Sequence, residues 1–225
     1  MSSLQRNRVL FYYSRMDSTT WLAHLDMVRL FSRAMNRASW PLAWSEGAFN
    51  PRPDIVFGLP AGCGIELERD PVEVGLDASS EVIAFDLEDA VRRLNTVLPK
   101  SVRVIDATYT ESVGRSLMSR VYGAKYRIEA PGVSTAYRKT FTGAPVMVEH
   151  IRKKKTTTVE LSSKIMDDDV SDNDTLLITC GAGSVNHLRI DLLLKSLVLY
   201  GCLSPEDAAG ARLVRESVLI NTVSR

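Results

Sequence analysis

The apolar positions of the chain switch between a two-residue period and a three-to-four-residue period, and each switch marks an element. Arg8–Ser14 (RVLFYYS) is dense in aromatic and β-branched residues and predicts a strand. From Trp21 the positions Leu22, Leu25, Val28, Phe31, Met35 and Ala38 follow helical spacing, and Pro41 stops that helix. Asp17, Ser18, Thr19 and Thr20 supply capping side chains ahead of it. Pro41–Ser45 and Asp54–Leu59 predict short strands around a Gly47–Pro53 loop. Pro60–Gly64 predicts a second loop and Val72–Leu76 a further strand. Asp86–Leu98 predicts a helix capped by Asp86 and ended by Pro99, and Val102–Thr110 a strand. The order strand, helix, strands, helix, strand is the split β-α-β order of a ferredoxin-like unit.

A second round follows. Tyr122–Ala130 predicts a strand. Pro145–Arg152 and Thr156–Ser162 predict a hairpin around Lys153–Lys155, and Thr175–Cys180 another strand. Val185–Tyr200 predicts a helix closed by Gly201. Pro205 opens a short helix at its first position, and Leu213–Ile220 alternates as a last strand. Between Pro131 and Gly143 no helix is evident, and Asp167–Asp174 reads as an acidic connection. The expected fold is α+β: two ferredoxin-like units in tandem, residues 1–112 and 113–225, with antiparallel sheets and helices on one face.

Composition narrows the classes. In 225 residues, 45% hydrophobic and 24% charged, there is ample apolar surface for a core, which excludes a disordered chain. No apolar run approaches the roughly 18 residues of a membrane span, and Met1–Arg6 lacks a signal-peptide stretch. Three widely spaced cysteines make no disulfide framework and point to a reducing cytoplasm. They form no C-x-x-C pair, so neither a cysteine-rich zinc site nor an iron–sulfur cluster is expected. No metal or cofactor is assigned.

The net charge of +1 conceals alternation. Residues 1–52 carry seven basic and three acidic side chains (+4), and residues 53–114 carry five and twelve (−7). Residues 115–155 carry ten and two (+8), and residues 156–225 six and ten (−4). A block of +8 attracts phosphate if folding keeps it on one face; otherwise it is a set of solvated strands balanced by acidic neighbours.

Few residues carry specific chemistry. His24 sits among apolar neighbours, as a proton donor or acceptor or as a structural histidine. Asp26 and Arg29 are spaced to pair on one helix face. Asn50-Pro51-Arg52-Pro53 is a stiff turn that presents an amide and a guanidinium suited to phosphate or base edges, or simply a structural turn. Leu59–Gly64 contains glycines but is neither a Walker loop nor a dinucleotide fingerprint, and reads as a tight turn. Arg152, Lys153, Lys154 and Lys155 top the predicted hairpin, a form suited to nucleic-acid backbones or to a plain solvated turn. The aspartate run lacks the glycine and terminal glutamate of an EF-hand. Cys63 has no local base. No triad or paired-carboxylate site is encoded.

The Trp21–Gly64 stretch carries a resemblance. Ala23-His24-Leu25-Asp26-Met27-Val28-Arg29 is followed by Pro41-Leu42-Ala43-Trp44-Ser45-Glu46-Gly47-Ala48-Phe49-Asn50-Pro51-Arg52-Pro53 and Leu59-Pro60-Ala61-Gly62. Together these segments resemble the radical-SAM-linked protein family, domain of unknown function 2344. Its pattern runs S-H-L-D-L-M-R, P-L-A-Y-S-Q-G-F-N-P-H-P and L-P-x-G. This chain departs from it with Ala23 for serine, Arg52 for histidine and an inserted Ala48. The resemblance extends to Ser116–Met118, Tyr126–Glu129 and the last helix and strand. It implies a radical-SAM protein as partner, an association with RNA or ribosomal particles, and a tandem fold like that of the RAMP proteins. The site residues it brings forward are His24, Asp26, Arg29, Ser45, Asn50 and Arg52. The expected function is a non-catalytic accessory protein that binds RNA or an RNA-containing particle. The alternatives are a metal-independent ribonuclease using His24, and a pure protein-interaction module.

Overall fold

The structure is a computed structural model. It describes residues 8–45, 47, 49–77, 85–110, 115–152, 155–183 and 186–221, with only the backbone of Arg152. The fold is α+β with antiparallel strand pairing. No helix among the described residues is long and apolar enough to cross a membrane. The chain divides into two compact units, one of residues up to Val121 with those from Ile220 onward, the other Tyr122–Leu219.

The first unit runs β1 (Arg8–Arg15), α1 (His24–Arg37), β2 (Ile55–Phe57), β3 (Ile65–Gly75), α2 (Leu87–Val97), β4 (Val102–Thr110) and a short α3 (Leu117–Arg120). Its strands lie in the order β4-β1-β3, with β2 also on β3. Alternation along β1 buries Val9, Phe11 and Tyr13 on the side of α1 and α2. Phe31 of α1 meets both Phe11 and Tyr13, at ring-centroid distances of 5.6 and 5.1 Å. Met27, Met35, Trp40 and Leu94 complete that core. Asp86 caps α2 as the sequence predicts, accepting from the amides of Glu88 and Asp89.

Two expectations shift here. The helix begins at His24, because Asp17–Trp21 forms a 3-10 turn in which Thr20 donates to the Asp17 carbonyl. The strand expected at Val72–Leu76 extends back to Ile65. Glu66, Glu68, Asp70 and Glu73 interrupt its apolar pattern, although Asp70 and Glu73 are buried. Arg15, itself buried, donates to the carbonyls of Leu22, Gly62 and Ile65 and so ties the entry of α1 to the 59–64 loop.

The second unit runs β5 (Val121–Glu129), α4 (Val133–Thr140), β6 (Met147–Arg152), β7 (Lys155–Glu160), β8 (Ile165–Asp169), β9 (Thr175–Gly181), α5 (Ile190–Gly201), α6 (Pro205–Gly210) and β10 (Arg212–Ile220). Its main strands order as β10-β5-β9-β8, and β6-β7 is a separate two-stranded sheet. Three expectations are corrected. A helix does occupy the stretch after Pro131: α4 buries Val133, Ser134, Ala136, Tyr137 and Thr140 at helical spacing. The acidic connection is in part a strand, β8, whose Asp167, Asp168 and Asp169 pair along β9. The helix expected from Val185 starts at Ile190, because Leu188 folds back to donate to the Gly181 carbonyl. That fold-back needs glycine: a Cβ at Gly181 would lie 2.1 Å from the Asn186 carbonyl oxygen.

Candidate functional site

In the first unit His24 opens α1, and its ring lies edge-on to Phe57 at 5.4 Å. Burial lowers its pKa, so it is neutral at neutral pH. Among the described residues no carboxylate or second imidazole pairs with it, which leaves a packing contact in place of an acid–base pair. Asp26 and Arg29 do pair, at 3.2 Å, but in solvent, where such a bridge contributes at most about 1 kcal/mol. Trp21 and Leu25 are 72% and 65% exposed. Gly64 donates to the Thr20 carbonyl and lies beneath the Trp21 ring.

The Asn50–Arg52 loop hangs elsewhere. The backbones of Ser45 and Arg52 pair, and the Ser45 hydroxyl accepts from the Arg52 amide at 2.9 Å. One step further in, Trp44 bridges Pro53, and Asp54 reaches Gly75 at the end of β3. Phe57, the neighbour of His24, pairs instead with Val72. At about 3.3 Å per residue, three residues of β3 already separate the two places by some 10 Å before the loop projects further. No hydrogen bond or ion pair among the described residues joins His24, Asp26 or Arg29 to Ser45, Asn50 or Arg52. Asn50 and Arg52 are exposed, and Phe49 beside them is wholly so.

In the second unit the basic block divides. Arg127 pairs with Glu129 and Glu216, and Arg212 returns to Glu129. Lys125 lines a shallow depression of about 170 Å³ with Asp167, Asp168 and Asp169, a poor neighbourhood for phosphate. Arg120, in the first unit, is buried against Glu73. These members of the block are neutralised by acidic neighbours. The face of β5 and β9 that carries Lys125, Arg127, Leu177 and Thr179 also offers no aromatic ring for base stacking.

The hairpin differs. Lys155 begins β7, exposed and opposite Arg152, and no described carboxylate pairs with it. Threonines 156, 157 and 158 follow, all exposed. Lys153 and Lys154 lie outside the described residues. The hairpin lies against α5: Tyr200 donates to the Met147 carbonyl at 2.8 Å and Lys195 to the Glu149 carbonyl at 2.6 Å. Arg189, just before α5, meets His150 Nε2 at 3.0 Å.

Sequence reasoning missed this last group. His150, Lys164, His187 and Arg189 come from β6, the turn before β8, and the loop before α5. His187 and Arg189 were hidden inside a longer predicted helix. The available signal was Gly181-Ala182-Gly183, a helix-breaking run that ends four positions before His187.

No curated protein matches the chain. A family model does match residues 8–190, spanning both α1 with its loops and the β6–β7 hairpin, and its description is "uncharacterized protein conserved in bacteria". The chain therefore belongs to the family of domain of unknown function 2344.

Proposed function

We propose that the chain is a cytoplasmic accessory protein that binds RNA, or an RNA-containing particle, beside a radical-SAM partner. One observation carries the RNA half. Arg152 and Lys155 pair at the end of a two-stranded hairpin that belongs to neither main sheet, with Lys153 and Lys154 between them in the sequence, while other cations of the same block are paired. A cationic turn flanked by threonine hydroxyls suits a phosphate backbone. The partner half follows from the family resemblance. The exposed Trp21 and Leu25 give such a protein an apolar surface to bury.

The same reading takes each unit as ferredoxin-like. In such a unit the fourth strand edges the first, and the third separates the first from the second. The orders β4-β1-β3-β2 and β10-β5-β9-β8 support that arrangement, with β6-β7 as an insertion. A RAMP-like relationship is an analogy at the level of fold and assigns no activity.

The test is RNA binding by the full chain at several salt concentrations, with Lys153, Lys154 and Lys155 changed to Gln. Affinity falls, and the slope of log affinity against log salt drops by about 0.7 for each phosphate no longer neutralised. Unchanged affinity and slope refute the role of the hairpin. A tagged pull-down with and without nuclease identifies the partner: a radical-SAM protein retained after nuclease supports direct contact.

A further inference from the structure

The second unit holds a cluster of basic side chains that the hairpin turn does not account for. Arg189 is its centre. Its Nε and Nη2 donate to the two carboxylate oxygens of Asp191 at 3.0 and 2.7 Å, and its Nη1 faces His150 Nε2 at 3.0 Å. A guanidinium only donates, so His150 Nε2 accepts and its proton sits on Nδ1.

Lys164 approaches from the turn before β8 and donates to the Asn186 side-chain oxygen at 3.4 Å. Asn186 precedes His187, which is exposed in the same loop. Desolvation by the protein atoms crowded near its ring, then the charges of Arg215, Arg189 and Lys164, lower the pKa of His187, and Asp191 opposes them. The imidazole therefore feels three cations and one carboxylate, a local excess of positive charge.

The hairpin meets this cluster at His150. Contacts with α5 move from Tyr200 to Lys195 to Arg189 as β6 advances from Met147 to Glu149 to His150. Thr157 is the cross-strand partner of His150, and Lys155 lies two residues along the same strand face, about 7 Å away. The first turn of α5, a helix of 12 residues, adds the positive end of its dipole, while its Leu192 and Leu193 amides donate to the Arg189 carbonyl.

We infer that His150, Lys155, Lys164, His187 and Arg189 form a phosphate site at the entry of α5, which takes one backbone phosphate of an RNA strand lying along the hairpin. The inference rests on the RNA reading above and adds a fixed contact to the basic turn. His150 Nδ1–H, the Lys164 ammonium and a His187 N–H are the available donors, and Lys155 neutralises the phosphate from the hairpin side.

Two measurements test it on the full chain. In the first, a labelled single-stranded RNA of 12 nucleotides is bound by the Lys164→Gln/His187→Gln variant at several salt concentrations. Affinity falls about tenfold and the salt slope by about 0.7, with an unchanged circular dichroism spectrum. If this variant binds like the unaltered chain while the Lys153–Lys155 variant loses affinity, the phosphate site is overturned and the RNA reading stands. In the second, inorganic phosphate is titrated against chloride at equal ionic strength, and the His150 and His187 ring signals are followed by NMR. Saturable shifts of both rings with phosphate, absent from the signal of His24, support the site. No saturable shift overturns it. Phosphate shifts in a chain that binds no RNA would overturn the assignment of the ligand to RNA.

Discussion

The most demanding test of the first unit is the charge buried between its strands. Glu73 of β3 is 4% exposed and sits between two arginines. Its Oε1 accepts from Arg120 Nη2 at 3.0 Å, and Arg8 Nε stands 3.6 Å from its Oε2. Arg8 has a second carboxylate, Asp54, at 2.7 and 3.3 Å, whereas Arg120 pairs with Glu73 alone among the described residues. Arg120 is 8% exposed, and its buried Nε has no hydrogen-bond acceptor. Glu73→Leu removes the one charge that compensates it. Breaking a buried pair from one side destabilises by about 3–5 kcal/mol, and the sliver of solvent at Arg120 favours the lower end, about 3 kcal/mol.

All three tryptophans, Trp21, Trp40 and Trp44, belong to the first unit, and Trp40 lies in its core. Urea unfolding followed by tryptophan fluorescence therefore reports this unit even if the other melts separately. With an m-value of about 2 kcal/mol/M, 3 kcal/mol is a midpoint shift of about 1.5 M. The double variant Glu73→Leu/Arg120→Met leaves no orphaned charge, because Arg8 keeps Asp54. It recovers about 2 kcal/mol of the loss. A single-variant shift below about 0.3 M would refute the reasoning, as would a double variant no better than the single one.

Two further outcomes are expected. Gly201→Ala places a Cβ 2.3 Å from the Ala136 carbonyl oxygen and 2.7 Å from Thr140 Oγ1, so α4 and α5 are forced apart at a cost of about 2–3 kcal/mol. Thermal unfolding by circular dichroism measures it, and an unchanged midpoint would contradict the close α4–α5 contact. Cys63 and Cys202 are exposed, whereas burial pushes the Cys180 thiol up to about 12 against the opposing charge of Arg215. The raised value keeps Cys180 a neutral thiol at pH 8 and at pH 9 alike. Maleimide should add twice to the native chain and three times in denaturant, and three rapid native adducts would show that Cys180 is accessible.

The regular elements were legible where side-chain periodicity acted alone. β1, α2 and β4 could be drawn from their apolar positions, and Asp86 and Pro99 marked the ends of α2. Legibility failed where a strand or helix buries groups that composition counts as polar. Half of β3 was hidden because Asp70 and Glu73 interrupt it, yet both are buried, and Glu73 is held by arginines that the sequence places 65 residues before it and 47 after. α4 buries Ser134 and Thr140 through hydrogen bonds to Thr175 and Ala136, so its inner face does not read as apolar. β8 is an edge strand of aspartates, with hydrogen bonding to β9 outweighing a composition that suits loops. The site residues divide in the same way. Asp26 with Arg29 is a local pair at helical spacing and was readable, whereas the Ser45–Arg52 contact closes a loop and was not read. The grouping of His150 with Arg189 spans 39 residues and depends on where the hairpin lies against α5.

That dependence explains why charge read along the chain could not be decisive. The acidic block that starts at Thr156 supplies Glu216 to Arg127 and Asp167–Asp169 around Lys125, so much of the +8 is cancelled by strands that follow it. The same acidic block also contributes Arg189, which contacts His150 of the basic block, with Lys155 two positions along the facing strand, and Lys164, which bonds Asn186 in the loop before Arg189. Folding therefore moves the positive field away from the strands where the sequence concentrates it and toward the place where hairpin and helix entry meet. A polyanion bound by this unit would follow that second distribution. Variants chosen by counting charges, such as Arg127→Gln, would break ion pairs with Glu129 and Glu216 and leave RNA affinity nearly unchanged, while variants at Lys155 and Lys164 would lower it.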